Sequence, residues 1–231
     1  MWDGRFSEIT KSRRSSKQRG NPTTKTTTKP EPERLHYTIK ELDSKTWPDF
    51  EKFFAKHNGV QGGCWCTFYH HPEGRLLKEG LERKDAIAFN RKEKKTLVTK
   101  GRSHGILVYT GGQAVGWCQY GPKEELPRID SGRNYSNLDL PGERGRKLWR
   151  LTCFFVDRDF RKKGVAGVAL KAALDSIREQ GGGIVEAYPS TSKDGGTWSL
   201  WFGTVAMFER EGFKAQAKLG EKHLLMCKTL A

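Results

Sequence analysis

Residues 151–189 read LTCFFVDRDFRKKGVAGVALKAALDSIREQGGGIVEAYP, and this stretch decides the fold. An apolar run of strand-forming residues at 151–156 leads through a charged segment into a basic turn, where a helical pattern begins. The turn has three basic residues and one glycine: Arg161, Lys162, Lys163, Gly164, Val165 and Ala166. The glycine lets backbone N–H groups approach an anion, and the helix directs its unpaired N-terminal donors to the same point. The turn is therefore predicted to bind a phosphorylated cofactor.

The residues that follow the turn have a helical period. Apolar and small residues recur at i, i+3, i+4 and i+7 from Val165 to Ile177, which predicts a helix whose small-residue face lies close against a sheet. Gly181-Gly182-Gly183 ends this helix, and residues 184–189 then read as a buried strand closed by Pro189. The stretch thus predicts a strand, an anion-binding turn, a helix and a second strand.

The regions before this unit also mix helix and strand. Residues 35–40 alternate as a strand does, and a helix with four aromatic residues follows and ends near His57. Residues 76–100 predict a charged helix. Short strands on either side of Gly111-Gly112 predict a tight β-hairpin.

The remaining segments complete the order of elements. Residues 121–148 are charged and contain several prolines and glycines, which predicts a long connection that is functional or mobile. After Pro189, the pattern predicts a helix at 199–211 and strands at 213–218 and 222–228.

Composition divides the chain of 231 residues into an arm and a body. Residues 1–33 are polar and of low complexity, which predicts a disordered basic arm, and residues 34–231 predict one folded domain. The net charge is +15, and both parts are basic. This charge suits an anionic cofactor, which we favour over the alternative of a nucleic-acid partner.

Cysteine use and hydropathy indicate the compartment. The five cysteines are odd in number and scattered, which favours reduced thiols in a cytoplasmic protein. No window approaches the length of apolar sequence that a transmembrane helix needs, and no apolar segment at the N-terminus resembles a secretory signal. We therefore expect no membrane partner, and the sequence gives no prediction of the oligomeric state.

Two motifs carry a resemblance to a known family. Arg161, Gly164 and Ala166 form R-x-x-G-x-A after an apolar strand, which resembles the acetyl-CoA signature of the GNAT superfamily of N-acetyltransferases. Residues 206–213, AMFEREGF, look like the helix-to-strand corner A-x-[YF]-x-x-x-G-F late in the same fold. The resemblance implies an α/β GNAT fold, with a central mixed, twisted sheet of about six to seven strands flanked by helices. Neither the nucleotide-binding P-loop motif nor the dinucleotide fingerprint is present in the stretch that begins at residue 151.

The resemblance also implies an activity and a cofactor site. Acetyl-CoA, as co-substrate, would lie where the strand ending near Val156 separates from the strand at 184–187. Backbone N–H groups of Phe155 and Val156 would face its amide or thioester oxygens, and the amides of Lys162 to Ala166 would hold its pyrophosphate. The expected reaction is transfer of the acetyl group to a primary amine of a small molecule or peptide, by direct attack in a ternary complex.

Proton transfer needs further residues. Glu186 lies in an otherwise apolar strand, where burial would raise the pKa of its carboxyl, and it is the candidate general base. The alternative is a solvated glutamate or one paired with a lysine. Phe208 stands where the family often has a tyrosine acid, so either Tyr188 or water would protonate the leaving thiolate, or the thiolate leaves without a proton. Cys153 is interpreted as a small buried residue rather than as a nucleophile.

The aromatic segment between the first two helices is predicted to wall the acceptor pocket. The predicted wall consists of Trp65, Phe68, Tyr69 and His70, with His71 beside it and Trp198 and Trp201 closing the pocket. The alternative for these rings is core packing. Acidic residues in the long connection could attract a cationic amine; the candidates are Asp130, Asp139 and Glu143.

Zinc is a further possibility for the same segment. Cys64, Cys66, His70 and His71 resemble a ligand set but lie too close in sequence for an unstrained tetrahedral site, so we predict no metal.

The missing tyrosine leaves a second class of function open. The same fold could serve as a non-catalytic module that binds CoA or an acyl-CoA, or that associates with nucleic acid or the ribosome. Turnover of acetyl-CoA with amines separates this alternative from the transferase.

Overall fold

The computed structural model describes residues 35–73, 80–138, 145–191 and 201–231 of the chain. The strands are β1 (Thr38–Glu41), β2 (His104–Thr110), β3 (Gln113–Pro122), β4 (Leu148–Val156), β5 (Gly183–Ala187), β6 (Lys214–Leu219) and β7 (His223–Leu230). The α-helices are α1 (Trp47–Lys56), α2 (Arg83–Thr99), α3 (Arg133–Ser136), α4 (Val165–Glu179) and α5 (Val205–Arg210).

Within these ranges, the seven strands form one mixed open sheet in the order β1-β2-β3-β4-β5-β7-β6. Neighbouring strands run antiparallel except β4 and β5, which run parallel. The unit β4-α4-β5 is therefore the parallel crossover that residues 151–189 predict. The predicted fold class is confirmed, and so is the β2–β3 hairpin, whose two turn glycines both have positive φ.

Strands β4 and β5 stay together over only part of their length. Residues Leu148 to Leu151 pair with Ile184 to Ala187, although β4 continues to Val156. Thr152 is skipped in the pairing of β4 with β3, so it is the extra residue of a β-bulge. A bulge bends its strand. Beyond Thr152, β4 keeps β3 as a neighbour and leaves β5, which opens the sheet as the resemblance implies.

Each face of the sheet carries its own apolar core. On one face, α4 packs small residues such as Ala169 into a core that includes Phe154. On the other face, α1 packs Phe50 against Trp117, with ring centroids 4.9 Å apart, in a core that includes Phe155. Successive residues of a strand point to opposite faces. The end of β4 therefore contributes side chains to both faces beside the opening.

Several predicted boundaries differ from the observed ones. Helix α2 begins at Arg83, and residues 76–79 of the predicted helix at 76–100 lie outside the described ranges. Helix α5 begins at Val205 rather than at residue 199. The reason is local: Gly203 has a φ of 75°, and the hydroxyl of Thr204 caps the helix by accepting from the N–H of Met207 at 3.2 Å. The connection predicted at 121–148 contains short helical turns and α3.

Three predictions concern the chain as a whole. The predicted arm at 1–33 lies outside the described residues, so the division at residue 34 stays a prediction, as does the cytoplasmic location. No helix in the described ranges is long and apolar enough to cross a membrane. All five cysteines are free thiols in the structure.

Candidate active site

The basic turn after β4 has the backbone of an anion site. Lys162 and Gly164 have φ angles of 60° and 83°, and Gly164 is the N-cap residue of α4. No heavy atom lies within 4 Å of the point that a Cβ of Gly164 would occupy. The first N–H groups of a long helix have no acceptor within the helix and carry partial positive charge. The turn therefore presents these donors to open space.

A cleft of about 510 Å³ adjoins this turn. One wall is the end of β4, and the opposite wall comes from the segment that leads into α5. The cleft is lined by all but one of the predicted cofactor residues, namely Phe155, Val156, Arg161, Lys162, Gly164, Val165 and Ala166. Lys163 is the exception. Its carbonyl accepts from the hydroxyl of Tyr37 at 3.0 Å, and its ammonium lies 5.3 Å from the ring centre of Phe160.

The backbone of β4 shows which amides face the opening. Asp157 donates its N–H to the carbonyl of Val115 in β3 at 2.9 Å. Backbone groups of successive strand residues point alternately to the two neighbouring strands. The N–H groups of Val156 and Phe154 therefore face away from β3, and that of Phe155 faces β3. This corrects the expected role of the Phe155 amide, while the Phe155 side chain still lines the cleft.

Glu186 of β5 lies in a buried hydrogen-bonded cluster and is 3% exposed. Its carboxylate accepts from the hydroxyl of Tyr188 at 2.7 Å and from that of Tyr135 at 2.9 and 3.0 Å. The Nε of Arg150 lies 3.6 Å from Glu186 Oε2, and the same guanidinium donates to both carboxylate oxygens of Asp130 at 2.8 and 2.5 Å. Asp130 is thus engaged by an arginine, and the other two acidic candidates, Asp139 and Glu143, lie outside the described residues.

The cluster sets the protonation of its members. Burial raises the pKa of the Glu186 carboxyl, and the Tyr188 hydrogen bond and the Arg150 charge partly offset this increase. The raised pKa that the sequence predicts is confirmed. Burial and the Glu186 charge raise the pKa of Tyr188 well above its usual range, so this hydroxyl keeps its proton and donates it. Glu186 pairs with Arg150 at the next-to-last position before β4 and β5 separate. Neither Glu186 nor Tyr188 lines the cleft.

With this geometry established, the chain can be compared with known proteins. The sequence profile of the Acetyltransferase (GNAT) family matches residues 25–201. The chain belongs to the GNAT acetyltransferase family. As a GNAT acetyltransferase, it takes acetyl-CoA as co-substrate, and the basic turn beside an apolar cleft fits that molecule. A search of curated proteins gave no significant match.

Solved structures resemble the chain at low identity. A GNAT-family acetyltransferase from Streptococcus pneumoniae is 13% identical over 85% of this chain and 100% of that chain, with a TM-score of 0.46. A ribosomal-protein-alanine N-acetyltransferase from Brucella melitensis is 18% identical over 84% and 99%, with a TM-score of 0.46. A Salmonella typhimurium protein solved with its cofactor acetyl-CoA is 14% identical over 84% and 94%, with a TM-score of 0.45. The family assignment rests on the sequence profile.

Phe208, which the sequence resemblance sets at the position of a tyrosine acid, is a core residue. Phe208 is fully buried, and its ring packs against those of Phe154 and Phe213 at 5.9 and 5.1 Å. It does not line the cleft. Cys153 is also buried, with its Sγ 3.4 Å from the Sγ of Cys66, as expected of a small packed residue.

Of the residues predicted to wall the acceptor pocket, one lies in the core and the others are half-buried. Trp65 is 3% exposed and stacks on Phe54 at 5.9 Å, so the structure places it in the core and not in a pocket. The reason is that the aromatic side chains of α1 pack beside it, with Phe50 at 6.4 Å and Phe54 at 5.9 Å between ring centres. Trp201 stacks on Phe155 at 5.5 Å and lines the cleft, whereas Trp198 lies outside the described residues.

The other three predicted wall residues form one half-buried helical turn, Phe68–His70. Tyr69 contacts the ring of Phe202, and Arg128 lies over Phe68. His70 Nδ1 lies 2.7 Å from the carbonyl of Glu125, so this nitrogen carries the proton and donates it. Burial and the charge of Lys94 lower the pKa of His70 well below its usual range, which leaves the ring neutral. None of the three lines the cleft.

The same segment shows no ligand set. His71 contacts Glu93 at 3.0 Å, and His70 is hydrogen-bonded as above. Across the described ranges, no group of three or more histidine, cysteine or acidic side chains is placed to hold a metal ion.

Lys94 and Arg150 are buried charged residues that the sequence analysis does not predict. Lys94 of α2 is completely buried and donates to the hydroxyl of Ser103 at 2.6 Å and to the carbonyl of Cys66 at 3.3 Å. Its ammonium also lies 5.4 Å from the ring centre of Trp117. Burial lowers the pKa of Lys94 to about 8. The available signal was its i, i+4 spacing from Ala86, Asn90 and Val98, which are the other buried positions of α2.

Proposed function

We propose that this chain is an N-acetyltransferase that moves the acetyl group of acetyl-CoA to a primary amine of a small molecule or peptide. The observation that carries the proposal is the cleft itself. It joins an anion-binding turn to the part of β4 that has no β5 partner, so pyrophosphate and thioester ends of one molecule have adjacent sites. Direct attack of the amine in a ternary complex needs no covalent intermediate on the enzyme.

The backbone of β4 would hold the acyl donor. The N–H groups of Phe154 and Val156 face the opening and would donate to the pantetheine amide and the thioester oxygen. A donor preplaced at the thioester oxygen stabilises the charge that develops there during attack, an effect worth about 3 kcal/mol in other enzymes. Turn residues from Arg161 to Ala166 would hold the pyrophosphate.

Glu186 is our candidate base. As the amine nitrogen bonds to the acetyl carbon and the carbon–sulfur bond breaks, a proton must leave the nitrogen. A carboxylate with a raised pKa accepts it more readily than an ordinary glutamate. Phe208 has no proton to give, so either Tyr188, whose hydroxyl donates to Glu186 in the structure, or water would protonate the CoA thiolate.

Substitutions in the turn test the cofactor site. Arg161→Glu and Gly164→Glu each put negative charge beside the pyrophosphate, so we expect acetyl-CoA affinity to fall at least about tenfold with the fold retained. Isothermal titration calorimetry measures the affinity, and circular dichroism checks the fold. Lys92→Glu, at an exposed position of α2, makes the same charge change as Arg161→Glu outside the cleft and should bind normally. Normal binding by both folded turn variants would contradict the assignment.

The buried Phe208 favours a second candidate, a non-catalytic module that binds CoA or an acyl-CoA. Release of CoA thiol in the presence of amines distinguishes the two. Tight acetyl-CoA binding without thiol release over a broad amine panel would support the module.

A further inference from the structure

A second cavity of about 700 Å³ meets the cofactor cleft. Phe155, Arg161 and Trp201 line both spaces, so the two communicate at the stacked Phe155–Trp201 pair. The second cavity extends from there along the end of α1 and the segment before α2. It lies on the α1 face of the sheet, opposite the helix α4 that carries the anion turn.

The walls of this cavity are cationic. Lys56, His57, Arg83 and Arg161 line it, and no aspartate or glutamate is among the described residues that do. Asp157 lies just behind, 3% exposed, and contacts Lys56 at 2.6 Å and His57 at 3.3 Å. Within the described part of the chain, Arg83 and Arg161 have no ion-pair partner. One buried carboxylate thus offsets part of the charge, and positive charge remains.

The backbone of the same wall is strained. Val60 lines the cavity with a φ of 62°, a conformation that is rare for a β-branched residue. Such a residue costs about 1–3 kcal/mol and persists where its surroundings fix it, often at ligand sites. Val60 is 5% exposed and packs in the α1 core. The wall is therefore held in one shape.

We propose that this cavity binds an anionic group, a phosphate or a carboxylate, carried by the amine acceptor. The inference rests on the proposed function, because an acceptor anchored here would extend its amine past Phe155 towards the acyl donor. It differs from the expectation that acidic residues attract a cationic amine: Asp130 is held by Arg150, Asp139 and Glu143 lie outside the described residues, and the space next to the cleft is basic. The phosphate on the ribose of CoA has the same chemistry and is the competing source of the anion.

Arg83 is the residue to change, because it lines this cavity and not the cofactor cleft. The probes are aminoalkyl phosphates of increasing chain length, each paired with the amino alcohol of the same length. For the wild-type chain we expect kcat/KM to be at least about tenfold higher for the phosphates at the optimal length, and Arg83→Gln should remove most of that preference. Lys84→Gln, next in sequence, 79% exposed and absent from the cavity wall, should keep the preference.

Two further measurements separate the possible failures. Calorimetric titration of aminoalkyl phosphates into the CoA complex measures their affinity for the cavity without turnover. We expect them to bind, and we expect Arg83→Gln to weaken that binding. Binding without any acetylation would support the site and overturn the transferase; acetylation of amines with no preference for phosphates would overturn the site and keep the transferase. If Arg83→Gln weakens acetyl-CoA but not acetyl-CoA lacking its ribose phosphate, the site belongs to the cofactor and the inference is wrong.

Discussion

Two buried charges in this protein, Glu186 and Lys94, have opposite surroundings. Glu186 has a guanidinium at 3.6 Å and two tyrosine hydroxyls as donors. Lys94 is enclosed by a hydroxyl, a carbonyl and aromatic rings, with no carboxylate among its hydrogen-bond partners in the described residues. Burial opposes the charged form in both, so it raises the pKa of Glu186 and lowers that of Lys94.

The two sites differ in the groups that offset the free-energy cost of burying the charge. At Glu186, hydrogen bonds and a nearby cation support the carboxylate, and the cluster stands at the last paired residues before β4 and β5 separate. At Lys94, the direct partners are neutral dipoles and rings, and the Glu125 carboxylate supports the ammonium only weakly, from beyond hydrogen-bonding distance. A supported charge beside an opening can take part in proton transfer, whereas an unsupported charge in a core mainly lowers stability. Four substitutions test this distinction.

The largest effect is expected at Glu186. Glu186→Gln keeps the size of the side chain and removes the base, so kcat should fall about a hundredfold while the KM for acetyl-CoA changes little. Steady-state thiol-release kinetics measure both. Glu179→Gln, an exposed change on α4, is the matched control and should have wild-type kinetics. A kcat near wild type in Glu186→Gln would leave water or the free amine as the only base.

Lys94 should affect stability rather than turnover. The pKa of about 8, below the ordinary 10.5, means that the unfolded chain binds the proton more tightly, so the penalty is complete below pH 8 and disappears above about pH 10.5. That shift corresponds to about 3 kcal/mol, from which lost hydrogen bonds must be subtracted, so Lys94→Met should stabilise the fold by about 1–2 kcal/mol at neutral pH.

Urea denaturation over a range of pH measures this gain. The difference between Lys94→Met and wild type should shrink as the pH rises towards the ordinary lysine range, because the wild-type penalty is then lost. Lys95→Met, at the exposed neighbouring position, should show no such trend. A Lys94→Met protein that is less stable at every pH would mean that the ammonium is a net stabilising group.

The contrast also shows what sequence patterns can and cannot predict. The glycine turn before α4, the hairpin and the parallel crossover depend on local glycines and on periodicity, and each is found where the pattern places it. Lys94 lies in the run RKEKK, where composition indicates solvent. Its i, i+4 spacing from Ala86, Asn90 and Val98 places it on one face of α2, but long-range packing decides that this face is the buried one.

The acceptor side was harder to predict for the same reason. Trp65 and Trp201 look alike in sequence, yet one fills the α1 core and the other lines the cleft. Two partners of Glu186 are distant in sequence: Arg150 lies 36 residues before it and Tyr135 lies 51 residues before it. The residue type and strand context of Glu186 predicted its raised pKa, but the cluster that tunes it arises only from long-range contacts.

The smallest effects should come from the partners of Glu186, and their signs differ. Tyr188 donates to the carboxylate, so Tyr188→Phe removes support for the charged form and should raise the pKa of Glu186 further. The charge of Asp130 raises the pKa of Glu186, so Asp130→Asn should lower it. If Glu186 is the base, the rising limb of kcat/KM shifts to higher pH in Tyr188→Phe and to lower pH in Asp130→Asn. The height of the plateau should change less. Tyr109→Phe, which removes a tyrosine that donates to Asp49 at 2.8 Å, is the control and should leave the limb in place. A limb that stays fixed in both partner variants but follows the pKa of the amine would show that the acceptor's own ionisation sets the profile, and that the cluster around Glu186 only holds the two strands together.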